Sequence, residues 1–209
     1  MSEVYPVNLD VRGKTCLVVG GGEVARRKVR ALLDARADVV VVAPDVHPKL
    51  RADDRVEIRE RAFRDTDLHG AFVVIVATDD PVTNRTVARD ALDFGCLVNV
   101  VDCPALSNFT VPATLRRGKL TVAVSTGGAS PSMSRRIRER LEGLFGPEYA
   151  DFIDVLGEFR RRVFDTVADS ETRMTLFRSL DYDALLATLR ERGRAALDDE
   201  LNRLLEQSP

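Results

Sequence analysis

The sequence predicts an α/β protein: a doubly wound parallel sheet, then a small β-hairpin with one helix, then a helical C-terminal region. Three observations predict it. An apolar run, Thr15 to Val19, stops abruptly at Gly20-Gly21-Gly22 and gives way to apolar residues (Val24, Ala25, Val29, Leu32, Leu33) that fall on one helical face. Runs such as Val39-Val40-Val41-Val42 and Phe72-Val73-Val74-Ile75-Val76 do not alternate with polar residues, as parallel strands covered on both faces require. Such strands alternate with helical patterns as far as Asp102, and there the alternation ends.

The elements follow in order. The polar turn Val11-Arg12-Gly13-Lys14 leads into the first strand, Thr15 to Val19, and the helix after it reads from Gly20 to Leu33. Asp38 to Pro44 reads as a second strand, Val56 to Glu60 as a weaker third, and Phe72 to Thr78 as the strongest, stopped by Asp79-Asp80-Pro81. Between Val82 and Phe94, Val87, Ala88, Ala91 and Leu92 recur at helical spacing, and Leu97 to Asp102 is a further strand. Phe109 to Leu115 and Leu120 to Val124 read as short strands joined by Arg116-Arg117-Gly118-Lys119, a hairpin. Ser130 suits an N-cap and Pro131 a first helical position for a helix carrying Ile137, Leu141 and Leu144. Gly146-Pro147 breaks the chain. Beyond it the pattern is helical, with one stripe of Phe152, Val155, Leu156, Phe159 and Val163 and others of Leu185, Leu186, Leu189, Leu197, Leu201 and Leu204. The expected domains are therefore 1–108, 109–146 and 147–209. A hairpin and one helix cannot cover their own apolar surface, so a homodimer joined through 109–146 is expected.

The 209 residues are 44% hydrophobic and 31% charged, an ordinary globular balance, and a net charge of −2 gives no general attraction to nucleic acid or to an anionic membrane. Neither is expected as a partner. No run approaches the roughly 20 apolar residues of a membrane span, and the N-terminus carries no secretory apolar stretch. Cys16, Cys96 and Cys103 form no C-x-x-C pair and sit in or beside apolar runs. Reduced thiols in a cytoplasmic protein are expected, not a disulfide framework or a zinc site. His47 and His69 fall in loops and read as surface residues.

The glycine turn carries the first chemistry. Gly20, Gly22 and Ala25 occupy the G-x-G-x-x-A positions of a Rossmann-type dinucleotide-binding turn. There Gly20 permits the tight turn, Gly22 lets a pyrophosphate approach the backbone, and Ala25 lets the helix pack closely on the strand. The helix N-terminus offers free N–H groups and the positive end of its dipole. Three loops converge at the strand ends: the glycines, Thr78-Asp79-Asp80, and Asp102-Cys103-Pro104. Asp102 reads either as a turn residue or as an acid–base group, and Thr78-Asp79-Asp80 either as part of the cofactor site or as a helix-capping turn. The second strand ends at Ala43-Pro44 with Asp45 just beyond and no arginine there for a 2′-phosphate, which favours NAD over NADP. A second helix-entry loop holds Ser125, Thr126, Gly127, Gly128 and Ser130, a setting suited to carboxylate or phosphate. Arg116, Arg117 and Lys119 precede it and Arg135, Arg136 and Arg138 follow, either as a solvated face or as the anchor of a polyanionic ligand.

Four segments occur in order: Gly20-Gly21-Gly22-Glu23-Val24-Ala25-Arg26-Arg27-Lys28, Ala77-Thr78-Asp79-Asp80, Asn99-Val100-Val101-Asp102, and Val122-Ala123-Val124-Ser125-Thr126-Gly127-Gly128-Ala129-Ser130-Pro131. This set resembles the precorrin-2 dehydrogenases of the siroheme-synthase family, some of which are also sirohydrochlorin ferrochelatases, and the resemblance covers most of the chain. It implies an NAD-binding N-terminal domain, a small dimerisation region and a helical C-terminal domain. The implied activity is oxidation of precorrin-2, a tetrapyrrole with many carboxylate arms, to sirohydrochlorin, with hydride passing to NAD. It implies a catalytic role for Asp102 as general base, with a part in metal insertion where that occurs, and NAD contacts at Glu23, Val24, Pro44 and Asp45. Some members carry a phosphorylatable serine where this chain has Thr126. Two other functions stay open: a bifunctional enzyme that also inserts Fe²⁺, and a non-catalytic NAD-sensing subunit in which Asp102 is a turn residue only.

Overall fold

The computed structural model describes residues 4–207, in two compact units that divide between Val111 and Pro112. Residues 1–3 and 208–209, at the outer ends of the first and third expected domains, lie outside the described residues. The first unit holds β1 (Thr15–Val19), β2 (Asp38–Val42), β3 (Val56–Arg59), β4 (Val73–Val76) and β5 (Leu97–Val100). All pair in parallel, in the order β3-β2-β1-β4-β5. The chain begins at the centre and winds outward in both directions, so the order reverses between β1 and β4, which is where such sheets bind ligands.

Helix α1 (Glu23–Asp34) covers one face and α3 (Pro81–Asp93) the other, with the one-turn α2 (Pro48–Arg51) after β2. Cys16, Val18, Val39, Val41 and Ile75 pack with Ala25 and Val29 of α1. Leu17, Val19, Val40, Val42, Val74 and Val76 pack with Val87, Ala88 and Ala91 of α3. This explains the unbroken valine runs: neighbouring residues point to opposite faces, and both faces are covered. The strands are shorter than the apolar runs that announce them. β2 stops at Val42, β4 spans only Val73–Val76, and β5 ends at Val100, two residues before Asp102.

Between β3 and β4 the chain is pinned by a buried carboxylate. The Asp67 side chain is 1% exposed. It accepts hydrogen bonds from Arg59 Nη1 (2.8 Å), Arg61 Nη1 and Nη2 (2.7 and 2.6 Å) and the Arg64 backbone N–H (2.9 Å). Those bonds, that of Arg61 foremost, hold its pKa well below the usual carboxylate range.

The outer side of β5 is met by side chains. Asn108 Oδ1 accepts from the Val98 N–H (2.7 Å) and Ser107 Oγ from the Val100 N–H (2.9 Å), while Asn108 Nδ2 donates to the Cys96 carbonyl (3.0 Å). Buried Asn99 donates to the Phe109 carbonyl at 3.1 Å, and the Phe109 ring packs on the α1-side core. These bonds correct the expected strand from Phe109 to Leu115: residues 107–109 belong to the edge of the parallel sheet. Pro112 has no N–H to give a ladder, so β6 runs Ala113–Arg117.

In the second unit β6 pairs antiparallel with β7 (Leu120–Val124), closing over Gly118-Lys119, a tighter turn than the four residues expected, with Gly118 at φ 54°. Four helices follow: α4 (Pro131–Leu144), α5 (Tyr149–Thr166), α6 (Ser170–Ser179) and α7 (Tyr182–Glu206), the last broken at Gly193. Phe152, Val155, Phe159, Val163, Leu176, Leu185, Leu189, Leu197 and Leu201 form the core of α5, α6 and α7. Among the described residues no helix is long and apolar enough to cross a membrane.

Candidate functional site

The three glycines divide the work of the turn. Gly20 has φ 120°, and a Cβ there would stand 2.2 Å from the Ala77 carbonyl oxygen, so the end of β1 lies hard against the end of β4. Gly21 is buried, and a Cβ on it would stand 2.0 Å from the Asp45 carbonyl oxygen; its own carbonyl accepts the His47 N–H at 2.9 Å. No spacing rule announces that need, because it comes from the 45–47 loop lying on the turn. Gly22 is exposed, and a Cβ on it would meet nothing within 4 Å. It is the N-cap of α1, and no side chain caps that helix. Asp80, Ser130, Asp169 and Asp181 cap α3, α4, α6 and α7. The first-turn N–H groups of α1 therefore face an opening with their dipole, over the fully buried Ala25. This cradle fits a pyrophosphate.

Around the cradle, Glu23 is exposed and bonds Arg26 through both carboxylate oxygens (2.7 Å each), which lowers its pKa; His47 Nε2 lies 3.7 Å away. Val24 is half-buried, and Pro44 and Asp45 are exposed just past β2. The arginines next to this end of β2 are engaged. Arg59, whose carbonyl accepts from Ala43, pairs with Glu57 and Asp67, Arg61 with Asp67, and Arg51 with Glu60.

After β4, the Thr78 hydroxyl donates to Asn84 Oδ1 (2.6 Å) and accepts from the Asp80 N–H (3.2 Å). Asp80 caps α3 through the Val82 and Thr83 N–H groups, and its bonds from Thr83 hold its pKa low. Thr78 and Asp80 thus build the turn, and Asp79 is left exposed beside it.

Asp102 is not the end of a strand. It stands in an exposed turn past β5 with φ 57°, a left-handed conformation that aspartate adopts more readily than most residues. One charged residue near it escaped the sequence reading. Lys28, on the second turn of α1, is half-buried; burial first and Arg27 second push its pKa down, while Asp102 holds it up. The signal was present, since position 28 lies one turn on from Ala25 and beside Val29, on the apolar side of the helix.

In the second unit the helix-entry loop satisfies its own hydroxyls. Ser130 caps the Met133 N–H, Ser125 Oγ accepts from Gly127, and Thr126 Oγ1 accepts from the Ser130 N–H (3.0 Å) and bonds buried Ser134 (3.1 Å). Gly127 and Gly128, at φ 60° and 83°, turn the chain outward. Of the basic residues, Arg135 bonds Glu139 (2.8 Å), Arg138 bonds Glu142, Arg117 bonds the Phe145 carbonyl and Lys119 bonds Asp154. Among the described residues Arg116, Arg136 and Arg140 have no such partner, and Arg136 and Arg140 share one face of α4.

A family model described as "Putative NAD(P)-binding" matches residues 7–113, and one described as "Sirohaem biosynthesis protein central" matches residues 117–144. The chain is 38% identical over 207 residues to the siroheme synthase of Methylobacillus flagellatus, and 40% identical over 208 residues to that of Pseudomonas paraeruginosa. These alignments cover 96% and 98% of this chain but 44% of each relative, so the chain spans less than half their length. The solved structure of SirC, a precorrin-2 dehydrogenase, superposes with a TM-score of 0.74 at 27% identity, covering 98% of this chain and 100% of that one. The chain belongs to the NAD(P)-binding, siroheme-synthase family.

Proposed function

We propose that this protein is an NAD-dependent precorrin-2 dehydrogenase, producing sirohydrochlorin in siroheme biosynthesis. The observation that carries the reading is the open, uncapped N-terminus of α1 at Gly22, placed where the strand order reverses. NAD, when bound, supplies the hydride acceptor. The first-turn N–H groups of α1, from Glu23 to Ala25, hold the pyrophosphate, and Gly22 leaves room for it. Pro44 and Asp45 receive the adenosine ribose. Asp45 and the engagement of Arg51, Arg59 and Arg61 with carboxylates favour NAD over NADP, since a 2′-phosphate would meet a negative charge and no free guanidinium. Thr78 fixes the far wall of the crevice and Asp79 faces its mouth. Asp102 takes one proton as one hydride leaves, so the substrate loses two electrons and two hydrogens in all. The N–H groups of the Ser125–Ser130 loop and the cations Arg116, Arg135, Arg136 and Arg140 suit the carboxylate arms of the tetrapyrrole. A homodimer formed through 109–146 and a cytoplasmic setting complete the proposal. The setting is supported by three free thiols, of which Cys16 is pushed up to about 11 by burial and then by Asp38, and so is unreactive.

The test is purified protein with precorrin-2 and NAD, followed by NADH absorbance with NADP in parallel. No reduction of either nucleotide overturns the reading; a preference for NADP overturns the ribose assignment alone. Ferrous iron added to the same reaction reads the chelatase function. Light scattering at micromolar concentration decides the dimer.

Gly22→Asp is expected to weaken NAD binding at least about a hundredfold, or about 2.7 kcal/mol, without unfolding the protein. The new Cβ meets open space and aspartate is a good N-cap, so the fold tolerates it, while its carboxylate occupies the phosphate position. Calorimetric NAD affinity within threefold of wild type would remove the cradle from the cofactor site.

A further inference from the structure

His47 has no part in the reaction described above, yet it stands at the glycine turn. Its backbone N–H donates to the Gly21 carbonyl at 2.9 Å, and the Asp45 carbonyl lies where a Gly21 Cβ would be, so the loop after β2 is seated on the glycines. The ring is fixed as well. His47 is the N-cap of α2, and its Nδ1 accepts the Lys49 N–H at 3.1 Å. An accepting Nδ1 carries no proton, so the ring hydrogen sits on Nε2, and that nitrogen can only donate. Nε2 stands 3.7 Å from Glu23 Oε2, beyond hydrogen-bond length, and among the described residues it has no acceptor. Glu23, the first residue of α1, bonds Arg26 once through each carboxylate oxygen, which leaves each oxygen a second acceptor site.

A ring N–H and a carboxylate oxygen at this separation leave room for one further oxygen about 2.8 Å from each, and that oxygen must both accept and donate. A hydroxyl does both. A phosphate has no proton to give and would be repelled by Glu23. Glu23 follows Gly22 in the chain, and His47 follows Asp45 by two residues, so the pair adjoins both the pyrophosphate cradle and the ribose end of the site. We propose that His47 is a further cofactor-binding residue, which selects the unphosphorylated ribose: one hydroxyl of the adenosine ribose of NAD bridges His47 Nε2 and Glu23 Oε2. This rests on the α1 cradle holding the pyrophosphate. The preference for NAD then follows from what the ribose can donate as well as from the charge of Asp45.

Calorimetry on the full chain tests it with three ligands: NAD, and its forms lacking the 2′ or the 3′ hydroxyl of the adenosine ribose. Wild type is compared with His47→Asn. Asparagine is a good N-cap and can keep the Lys49 N–H bond, but its amide is too short to stand where Nε2 does. In wild type one of the two deoxy forms is expected to bind about tenfold more weakly than NAD. In His47→Asn, NAD itself is expected to bind about threefold to tenfold more weakly than in wild type, and the deoxy penalty to shrink to about threefold. Each protein serves as its own reference. A general loosening of the loop would weaken all three ligands alike and leave the penalty as it was. A penalty as large in His47→Asn as in wild type, or none in wild type, overturns the role of His47 and leaves the cradle standing. A wild type that binds no NAD, or binds it equally well after Gly22→Asp, overturns the cradle and this role with it.

Discussion

Asp102→Asn is expected to lower turnover on precorrin-2 by about 10²–10⁴-fold while Tm and NAD affinity stay at their wild-type values. The substitution is chosen for its backbone. Asp102 sits at φ 57°, a conformation asparagine adopts as readily as aspartate, and the residue is exposed, so the folded state loses nothing. Alanine at the same position would carry a left-handed penalty of about 1–2 kcal/mol and confuse stability with rate. What asparagine cannot do is accept the proton that must leave with each hydride. Near-normal turnover would make Asp102 a turn residue and leave hydride transfer without a base. Lost turnover together with a lowered Tm would point to the turn as well.

The largest loss of stability is expected at Asp67. Removing one partner of a buried ion pair costs about 3–5 kcal/mol, and Asp67→Ala leaves two guanidiniums and the Arg64 N–H without their acceptor. Arg59 and Arg61 are 34% and 31% exposed and can turn toward water, which places the effect near the lower end, about 3 kcal/mol. Urea unfolding at neutral pH measures it, and a loss below about 1 kcal/mol would show that the arginines need no partner. The pH dependence has a definite sign. Because the folded-state pKa of Asp67 is depressed, its contribution is complete above the unfolded value, near pH 4, and is lost as pH falls below that. The Asp67→Ala protein should therefore lose less stability than wild type on acidification.

The sequence was legible wherever one local pattern permits one outcome. Valines in an unbroken run admit few arrangements besides a strand covered on both faces, and Ser130-Pro131 states a helix start outright. Partners distant in the chain were not legible. The Phe109 to Pro112 stretch has strand-like residues, but Asn99 and the α1-side core claim Phe109 first. Gly21 looked like a spacer because the Asp45 carbonyl that forbids its Cβ is 24 positions away. Arg59 falls in the weak third strand and Arg61, Arg64 and Asp67 in the unassigned stretch after it, and nothing in their spacing says that the carboxylate turns inward. At the candidate site, the types and rough places of Asp102 and the glycines were readable. The left-handed turn under Asp102 and the half-burial of Lys28 were not. The hydroxyl of Thr126 looked available to a ligand, yet Ser130 and Ser134 hold it.

The side chains along the outer side of β5 bear on how molecules of this protein meet at high concentration. An edge strand offers a row of backbone donors and acceptors, a template on which another chain can extend the sheet and seed aggregation. Ser107 and Asn108 occupy the donors of Val98 and Val100 and the carbonyl of Cys96 with hydroxyl and amide groups, and the Asn108 backbone N–H takes the Val98 carbonyl at 3.0 Å, so side chains do most of the work of a sixth strand. At the opposite margin β3 is only four residues long and carries charged Glu57 and Arg59. Sheet-to-sheet polymerisation is thus blocked at one margin by saturation and at the other by brevity and charge. Asn108→Ala would reopen the first of these without touching the cofactor turn.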